Sequence, residues 1–372
     1  MKSSKTNGLG KLVSFIVLAV LLICTVGFAV SGWQEPNKEP DSGDNGNTAV
    51  DTDGNTNGNP PDNSTTLPDD TSPEPEAPKF YSQITGLEIT EAQYNTTPLG
   101  FVVDPSAPIY GLSTSEVAFE FPIENGKTRM LSYTTNTSIL WKIGSLVATR
   151  NYISGMSNFF GGVVISNGND DIVKYSAWDT SKIDLDISKY SECYYIENTL
   201  YIYTGKDYVN TALNSAENLN KAPYKEAQFS FAEGEEIVRG PSEAKTVTIP
   251  YSSSETSLYY SEQSGKYLLF KSQNRKVDML TGQNISFTNV FILFANATTY
   301  EKADGTELVI DTISGGKGYY ISNGTLTEIR WNVDENGSLS FKSLSGEALK
   351  INRGNSYFSY FKASESSKVV FH

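Results

Sequence analysis

Histidine is nearly absent from this chain of 372 residues. The single one, His372, is the last residue. Chain termini usually fray, whereas a catalytic triad or a zinc site with histidine ligands needs an imidazole that is held in place. The composition therefore argues against Ser-His-Asp and Cys-His hydrolases and against His-ligated zinc. The sequence contains no other specific catalytic or metal-binding motif, and we expect neither a cofactor nor a metal.

Cysteine is almost as scarce. Cys24 lies in a hydrophobic segment, which leaves Cys193 alone in the rest of the chain. Without a second cysteine there is no disulfide framework of the kind that stabilises small secreted domains. The stability of the protein must therefore come from a buried hydrophobic core, for which a chain of this length is sufficient.

Basic residues are outnumbered by acidic ones, 29 against 43, which gives a formal net charge of −14. Three of the lysines, Lys2, Lys5 and Lys11, precede the hydrophobic segment, so the remainder of the chain is more acidic still. Nucleic acids and anionic lipid surfaces are bound through basic surfaces. We therefore expect no nucleic-acid partner, although a local basic patch is compatible with this composition.

A hydrophobic run without any charge extends over residues 12–33. As a helix rising 1.5 Å per residue it would be about 33 Å long, which matches a hydrocarbon core of about 30 Å. Lysines before the run and acidic residues after it place the N-terminus in the cytoplasm. The sequence predicts a cytoplasmic tail over residues 1–11, a transmembrane signal anchor over 12–33, and a body outside the cell membrane.

Two alternatives remain open for this segment. The small residues Ala29 and Ser31 favour a cleaved signal peptide, although the apolar run is longer than the usual hydrophobic region of one. Leu21 favours a lipoprotein modified at Cys24, although Ile23 occupies the position that normally takes Gly or Ala.

Three further regions follow the anchor. Residues 34–79 consist almost entirely of Asp, Asn, Gly, Pro, Thr, Ser and Glu, which predicts a disordered acidic linker. In residues 80–230, short strands alternate with candidate helices at 147–160 and 208–220, which predicts a mixed α/β domain. In residues 231–372, closely spaced strands separated by turns such as Asn323-Gly324 predict an all-β domain built from hairpins. The predicted fold class is α+β.

Several different short motifs follow one another along both regions. They are residues 95–98 (Asn-Thr-Thr-Pro), 124–129, 143–150, 278–282 (Asp-Met-Leu-Thr-Gly), 329–331 (Ile-Arg-Trp) and 351–354 (Ile-Asn-Arg-Gly). Together they resemble the YerB-like proteins, cell-envelope lipoproteins of Gram-positive bacteria with domains of unknown function, over nearly all of residues 84–361. The resemblance implies a location in the cell envelope.

The chain departs from this family pattern at two places in the first region. Val147 stands where the family has an arginine, and residues 164–168 replace a segment in which the family has a histidine. A later histidine of the family is also missing. If the family's surface pocket binds a ligand through these groups, this chain binds it differently or has lost it.

Four charged residues at strand ends or at a helix start form the candidate site: Asp104, Glu120, Arg129 and Arg150. Two arginines could hold a carboxylate or a phosphate, and two carboxylates could act as general acid and base. The alternative is an ion-pair network that fixes the fold, with Arg129 or Arg150 as the partner of Glu120. We favour the structural interpretation.

The sequence thus predicts a membrane-anchored, extracytoplasmic envelope protein. Its expected function is the non-catalytic binding of a cell-wall polymer or of an envelope protein. The alternative is a cell-wall glycan hydrolase or transferase that uses Asp104 and Glu120 as a carboxylate pair. Open carboxylates facing each other in a cleft would favour the enzyme, and carboxylates paired with cations in the interior would favour the binding module.

The predicted topology can be tested with protease. Because the body is expected outside the membrane, protease added to intact, wall-less cells should remove it and leave the anchor. The mass of the membrane-bound protein would distinguish a signal anchor from a lipoprotein. A body that resists protease until the cells are lysed would contradict the orientation.

Overall fold

The computed structural model describes residues 78–169, 183–219, 221, 229–302, 305–335 and 338–372. All of them belong to one compact unit, residues 74–372. The predicted cytoplasmic tail, the hydrophobic segment at 12–33 and nearly all of the predicted linker lie outside the described residues. Within these ranges, no helix has the length and apolar character needed to cross a membrane.

Strands dominate the described residues. The strands are β1 Phe80–Tyr81, β2 Glu88–Ile89, β3 Leu99–Val103, β4 Val117–Pro122, β5 Thr128–Thr134, β6 Ile143–Gly144, β7 Val163–Ser166, β8 Asp184–Asp186, β9 Tyr195–Glu197, β10 Tyr201–Thr204, β11 Ser230–Phe231, β12 Ser242–Glu243, β13 Thr246–Tyr251, β14 Ser254–Ser261, β15 Lys266–Lys271, β16 Asn274–Arg275, β17 Ser286–Phe287, β18 Asn289–Ala295, β19 Ala297–Lys302, β20 Gly305–Ile310, β21 Gly316–Ser322, β22 Thr325–Val333, β23 Leu339–Ser343, β24 Lys350–Ile351, β25 Ser356–Lys362 and β26 Val370–Phe371. The helices are α1 Glu91–Tyr94, α2 Asn151–Ser154, α3 Ser157–Phe160 and α4 Lys206–Ser215, with short 3-10 helices at Leu112–Thr114, Glu124–Gly126, Ile187–Lys189 and Ala363–Lys368.

An 11-stranded sheet contains strands from both predicted domains. Its order is β12-β22-β21-β18-β25-β4-β5-β3-β7-β8, and β23 pairs with β22. Strand β25 lies between β18 and β4 and is parallel to both, with Phe358 opposite Phe119 and Ser359 opposite Glu120. The boundary predicted near residue 230 therefore does not divide the sheet. The sequence could not indicate this, because β25 and β4 are far apart along the chain.

The core lies on both faces of this sheet. On β4, Phe119 and Phe121 point to one face, where short helices α2 and α3 cover them. Phe119 stacks on Phe358 with ring centroids 4.9 Å apart, and Phe358 stacks on Phe291 at 4.4 Å. The rings thus join β4, β25 and β18 on that face.

A six-stranded sheet covers the opposite face. Its order is β16-β15-β14-β13-β26, with β17 paired to β15. Its inward residues, such as Val247, Leu258 and Leu269, pack in one cluster with Ala118 of β4 and Met130 of β5. Strand β4 is therefore buried on both faces, although it carries the charged residue Glu120.

The turn and the two helices predicted from local sequence are observed, but one of the helices is broken into two. The hairpin of β21 and β22 turns at Asn323-Gly324, as predicted. The hairpin of β9 and β10 turns at Asn198 and Thr199, which have positive φ of 52° and 56°. The helix predicted at 208–220 is observed as α4. The helix predicted at 147–160 is observed as α2 and α3, two short pieces of four residues each.

The fold is therefore mostly β, with a β-rich C-terminal region as predicted. The mixed α/β character expected of residues 80–230 is reduced to strands with short helices. The reason is that the apolar residues of α2 and α3 cover one face of the large sheet. Two short helices joined at Gly155-Met156 can follow this face of the sheet, whereas the single straight helix predicted over residues 147–160 could not.

The shared sheet predicts that residues 78–230 do not fold alone. Without β25, the strand β4 would lose its parallel partner, and Phe119 would lose its stacking partner Phe358. We expect residues 74–372 to unfold in one cooperative transition followed by circular dichroism, and the 78–230 fragment to show none. A fragment with a cooperative transition of its own would restore the two-domain prediction.

Candidate functional site

Glu120 of β4 is completely buried and points toward the six-stranded sheet. Its carboxylate lies 2.6 Å from Nζ of Lys271, and it accepts hydrogen bonds from the hydroxyls of Thr256 (3.0 Å) and Tyr357. Burial raises the pKa of Glu120, but the charge and the hydrogen bond of Lys271 lower the pKa by more than burial raises it. The pKa of Glu120 therefore lies below its ordinary value of 4.5. The side chain is an ionised carboxylate held in the interior.

Lys271 of β15 is also buried, and its ammonium group is fully satisfied. Besides the ion pair with Glu120, Nζ donates to the hydroxyls of Thr128 and Thr256, both at 2.9 Å. It lies 4.7 Å from the ring centroid of Tyr251. This ion pair therefore links the two sheets through β4 and β15.

Lys271 is not among the site residues predicted from the sequence. Arg129 and Arg150 are the cations nearest to Glu120 along the chain, and one of them was the expected partner. The partner instead comes from a strand that packs across the sheet. A signal was present, because Lys271 continues the alternation of Tyr267 and Leu269, which places it on the inward side of β15.

Arg150, just before α2, forms a second buried ion pair. Its NH1 and NH2 groups donate to the two carboxylate oxygens of Glu124 at 2.6 and 2.9 Å. NH1 also donates to the carbonyl of Leu308 at 3.3 Å and lies 3.9 Å from Glu307. Burial raises the pKa of Glu124, and the hydrogen bonds from Arg150 and from the Leu308 amide bring it below its ordinary value. This pair joins the start of α2 to β20.

Asp104 and Arg129 lie on neighbouring parts of the large sheet and line the same cavities. Asp104 follows β3 and Arg129 is in β5, and the two strands are neighbours with Val103 opposite Met130. Both side chains are half-buried and line two adjoining cavities of about 500 and 400 Å³. We call this surface the Asp104–Arg129 groove.

The groove has a basic end and an apolar end. Lys127 lines the smaller cavity, and Leu200, 69% exposed, and Ile202 line the larger one. Asp104 accepts a hydrogen bond from the amide of Ser106 at 2.8 Å. Among the described lining residues, a guanidinium and an ammonium group stand against one carboxylate, so the groove suits a ligand that carries a carboxylate or a phosphate.

The two departures from the family pattern fall at this groove. Val147, at the position where the family has an arginine, lines both cavities. Asn167, within the segment that replaces the family's histidine, lines the larger one. The polar groups that this chain lacks would therefore have stood around Asp104 and Arg129.

The four predicted residues thus occupy three places. Asp104 and Arg129 share the groove, whereas Glu120 and Arg150 each form a buried ion pair of their own. The carboxylate pair required by the enzyme hypothesis is not present, because Glu120 is sealed in the interior against Lys271 while Asp104 faces the groove. Within the described residues, no cluster of three or more His, Cys, Asp or Glu side chains is arranged to hold a metal ion.

Comparisons with known proteins place this fold. Residues 247–358 match the family model described as the C-terminal domain of a protein of unknown function, DUF3048. The fold is similar to the crystal structure of the YerB protein from Bacillus subtilis, with a TM-score of 0.67 and 19% sequence identity, over 79% of this chain and 100% of that one. No curated protein matches the sequence. The predicted resemblance to the YerB-like proteins is confirmed.

The Glu120–Lys271 pair predicts a large stability effect. Lys271→Met leaves a buried carboxylate without its cation, which should cost about 3–5 kcal/mol of unfolding free energy. The double variant Glu120→Leu/Lys271→Met should recover part of that loss, since it leaves no buried charge. Urea denaturation measures both.

The exposed pair of Lys245 and Glu262, 2.7 Å apart, provides the matched control, and Lys245→Met should leave the urea midpoint close to that of the wild type, because exposed ion pairs contribute little to stability. Because the pKa of Glu120 is lowered on folding, its contribution is fully present above pH 4.5 and is lost as the pH falls through the folded pKa. Equal effects of Lys271→Met and Lys245→Met would show that the buried pair contributes nothing special.

Proposed function

We propose that this YerB-like protein is a membrane-anchored, extracytoplasmic module that binds an anionic segment of a cell-wall polymer in the Asp104–Arg129 groove. The observation that carries the proposal is that two cations, Arg129 and Lys127, line the same cavity in a chain whose net charge is −14. A cationic recess on an acidic protein attracts an anionic group while the surrounding surface repels other anions.

Arginine is well suited to this role. Its planar guanidinium can donate two parallel hydrogen bonds to a carboxylate or a phosphate. Asp104, which lines the same two cavities, can accept hydrogen bonds from hydroxyl or amide groups of the same ligand. Sugars that carry both an acidic group and hydroxyls offer both kinds of contact, and peptidoglycan and its attached polymers are built from such units.

The remaining features of the sequence agree with this location. The uncharged run at 12–33, preceded by three lysines, supports a membrane anchor, and the acidic, proline-rich residues 34–79 support a spacer between the membrane and the body. Burial of Glu120 with Lys271 and of Glu124 with Arg150 supports binding rather than hydrolysis, because both carboxylates already have cationic partners.

An envelope protein is the second candidate partner. The hairpin of β9 and β10 exposes Ile196 and Leu200, and Leu200 lies at the edge of the groove. Exposed apolar side chains beside a polar recess are typical of protein-binding surfaces.

A pull-down on purified cell wall tests the proposal. The full-length protein should bind, and Arg129→Ala should weaken binding about 10- to 100-fold, since a hydrogen bond to a charged group contributes about 1.5–3 kcal/mol. Arg275→Ala, which removes an exposed arginine from β16, is the matched control and should bind as the wild type does.

Thermal melts of both variants accompany the pull-down, so that a folding defect is not mistaken for lost recognition. Equal binding by Arg129→Ala and Arg275→Ala would remove the groove from the proposal. Binding to a protein from washed envelopes but not to purified wall would favour the second candidate.

A further inference from the structure

Three cations stand in a row across the large sheet. Lys317 of β21 lies directly opposite Arg330 of β22, and Arg330 lies directly opposite Lys342 of β23. Residues directly opposite on adjacent strands point to the same face, and like charges in these positions repel each other. All three are exposed. We call these residues the cation row.

The row lacks the carboxylate partners that several other exposed lysines have. Lys245, Lys350 and Lys368 each form an ion pair with a glutamate at 2.7–3.6 Å. In the part of the chain that the structure describes, no carboxylate lies within ion-pair distance of Lys317, Arg330 or Lys342. An arrangement that repels itself and is not neutralised lowers stability, which points to a role outside the fold.

A cavity of about 370 Å³ lies beside the row. Lys317 and Arg330 line it together with the hydroxyl-bearing residues Ser366 and Ser367 of the 3-10 helix Ala363–Lys368. Glu328 carries the single negative charge among the described lining residues. The cavity therefore combines two cations and two hydroxyl donors, which is the chemistry that binds phosphate oxygens.

We propose that the cation row and this cavity bind a linear polymer joined by phosphodiester groups between polyol units. Adjacent strands lie about 4.8 Å apart, so the row extends over about 10 Å and can meet more than one phosphate of an extended chain. A narrow chain can enter the concave cavity. A broader anionic partner would also meet the acidic remainder of the molecule, which would repel it.

Two other anionic partners fit less well. An anionic membrane presents a broad surface, which the net charge of −14 opposes. Single-stranded nucleic acid is usually held by aromatic rings on which bases stack. Tyr319, which lines the cavity, already packs edge-to-face with Phe294 and Phe371, whose ring centroids are 5.7 and 4.8 Å away.

This site is separate from the Asp104–Arg129 groove, and the two can fail independently. The test uses the full-length protein and purified poly(glycerol phosphate) in a titration at 50 mM salt. The wild type should bind, with affinity falling roughly 20-fold between 50 and 200 mM salt for three phosphate contacts. The variant Lys317→Gln/Arg330→Gln/Lys342→Gln should bind at least tenfold more weakly.

The control variant Lys79→Gln/Lys189→Gln/Arg275→Gln changes the net charge equally at exposed positions elsewhere and should keep its affinity. Because the row repels itself, its neutralisation should leave the melting temperature unchanged or raise it. Equal losses in both triple variants would overturn the site. Tighter binding to polygalacturonate, single-stranded DNA or phosphatidylglycerol vesicles than to poly(glycerol phosphate) would overturn the class of ligand.

Discussion

The buried ion pair between Glu120 and Lys271 is the constraint around which the two sheets are arranged. An ionised carboxylate in the interior is tolerable only while its cation and its hydroxyl donors stay in place. If both positions were apolar, the sheets could slide relative to each other at little cost in free energy. The ion pair prevents such sliding, because a shift of one residue along β4 or β15 would separate the two charges and leave both buried without a partner.

This constraint acts where the chain is most crowded. Strand β4 has partners on both edges and packed layers on both faces, with stacked rings on one side and the ion pair on the other. Segments from all parts of the described chain converge on it. The second ion pair, Arg150 with Glu124, connects the start of α2 to β20, because Arg150 also donates a hydrogen bond to the carbonyl of Leu308. Thr128, which accepts a hydrogen bond from Lys271, also lines the smaller cavity of the Asp104–Arg129 groove, so that groove borders this centre.

The sequence revealed what depends on neighbours along the chain. Asn323-Gly324 marks a turn because the backbone there needs positive φ, which Asn and Gly tolerate. Asp104 and Arg129, two of the four residues of the candidate site, line the same cavities because β3 and β5 are neighbouring strands. The partner of Glu120 and the insertion of β25 beside β4 depend on pairings across more than 150 and 230 residues, and no local pattern encodes them. The cation row was also invisible, because three unremarkable positions become neighbours only through register.

The position of β25 has a kinetic consequence. Because β25 joins two halves of the large sheet and pairs with residues more than 230 positions earlier, its formation requires closing a very long loop. Topologies dominated by such distant contacts fold slowly. A chain of this kind stays unfolded for some time after synthesis, with the apolar residues of its strands still exposed. The same strand order that completes the core therefore delays the formation of the core.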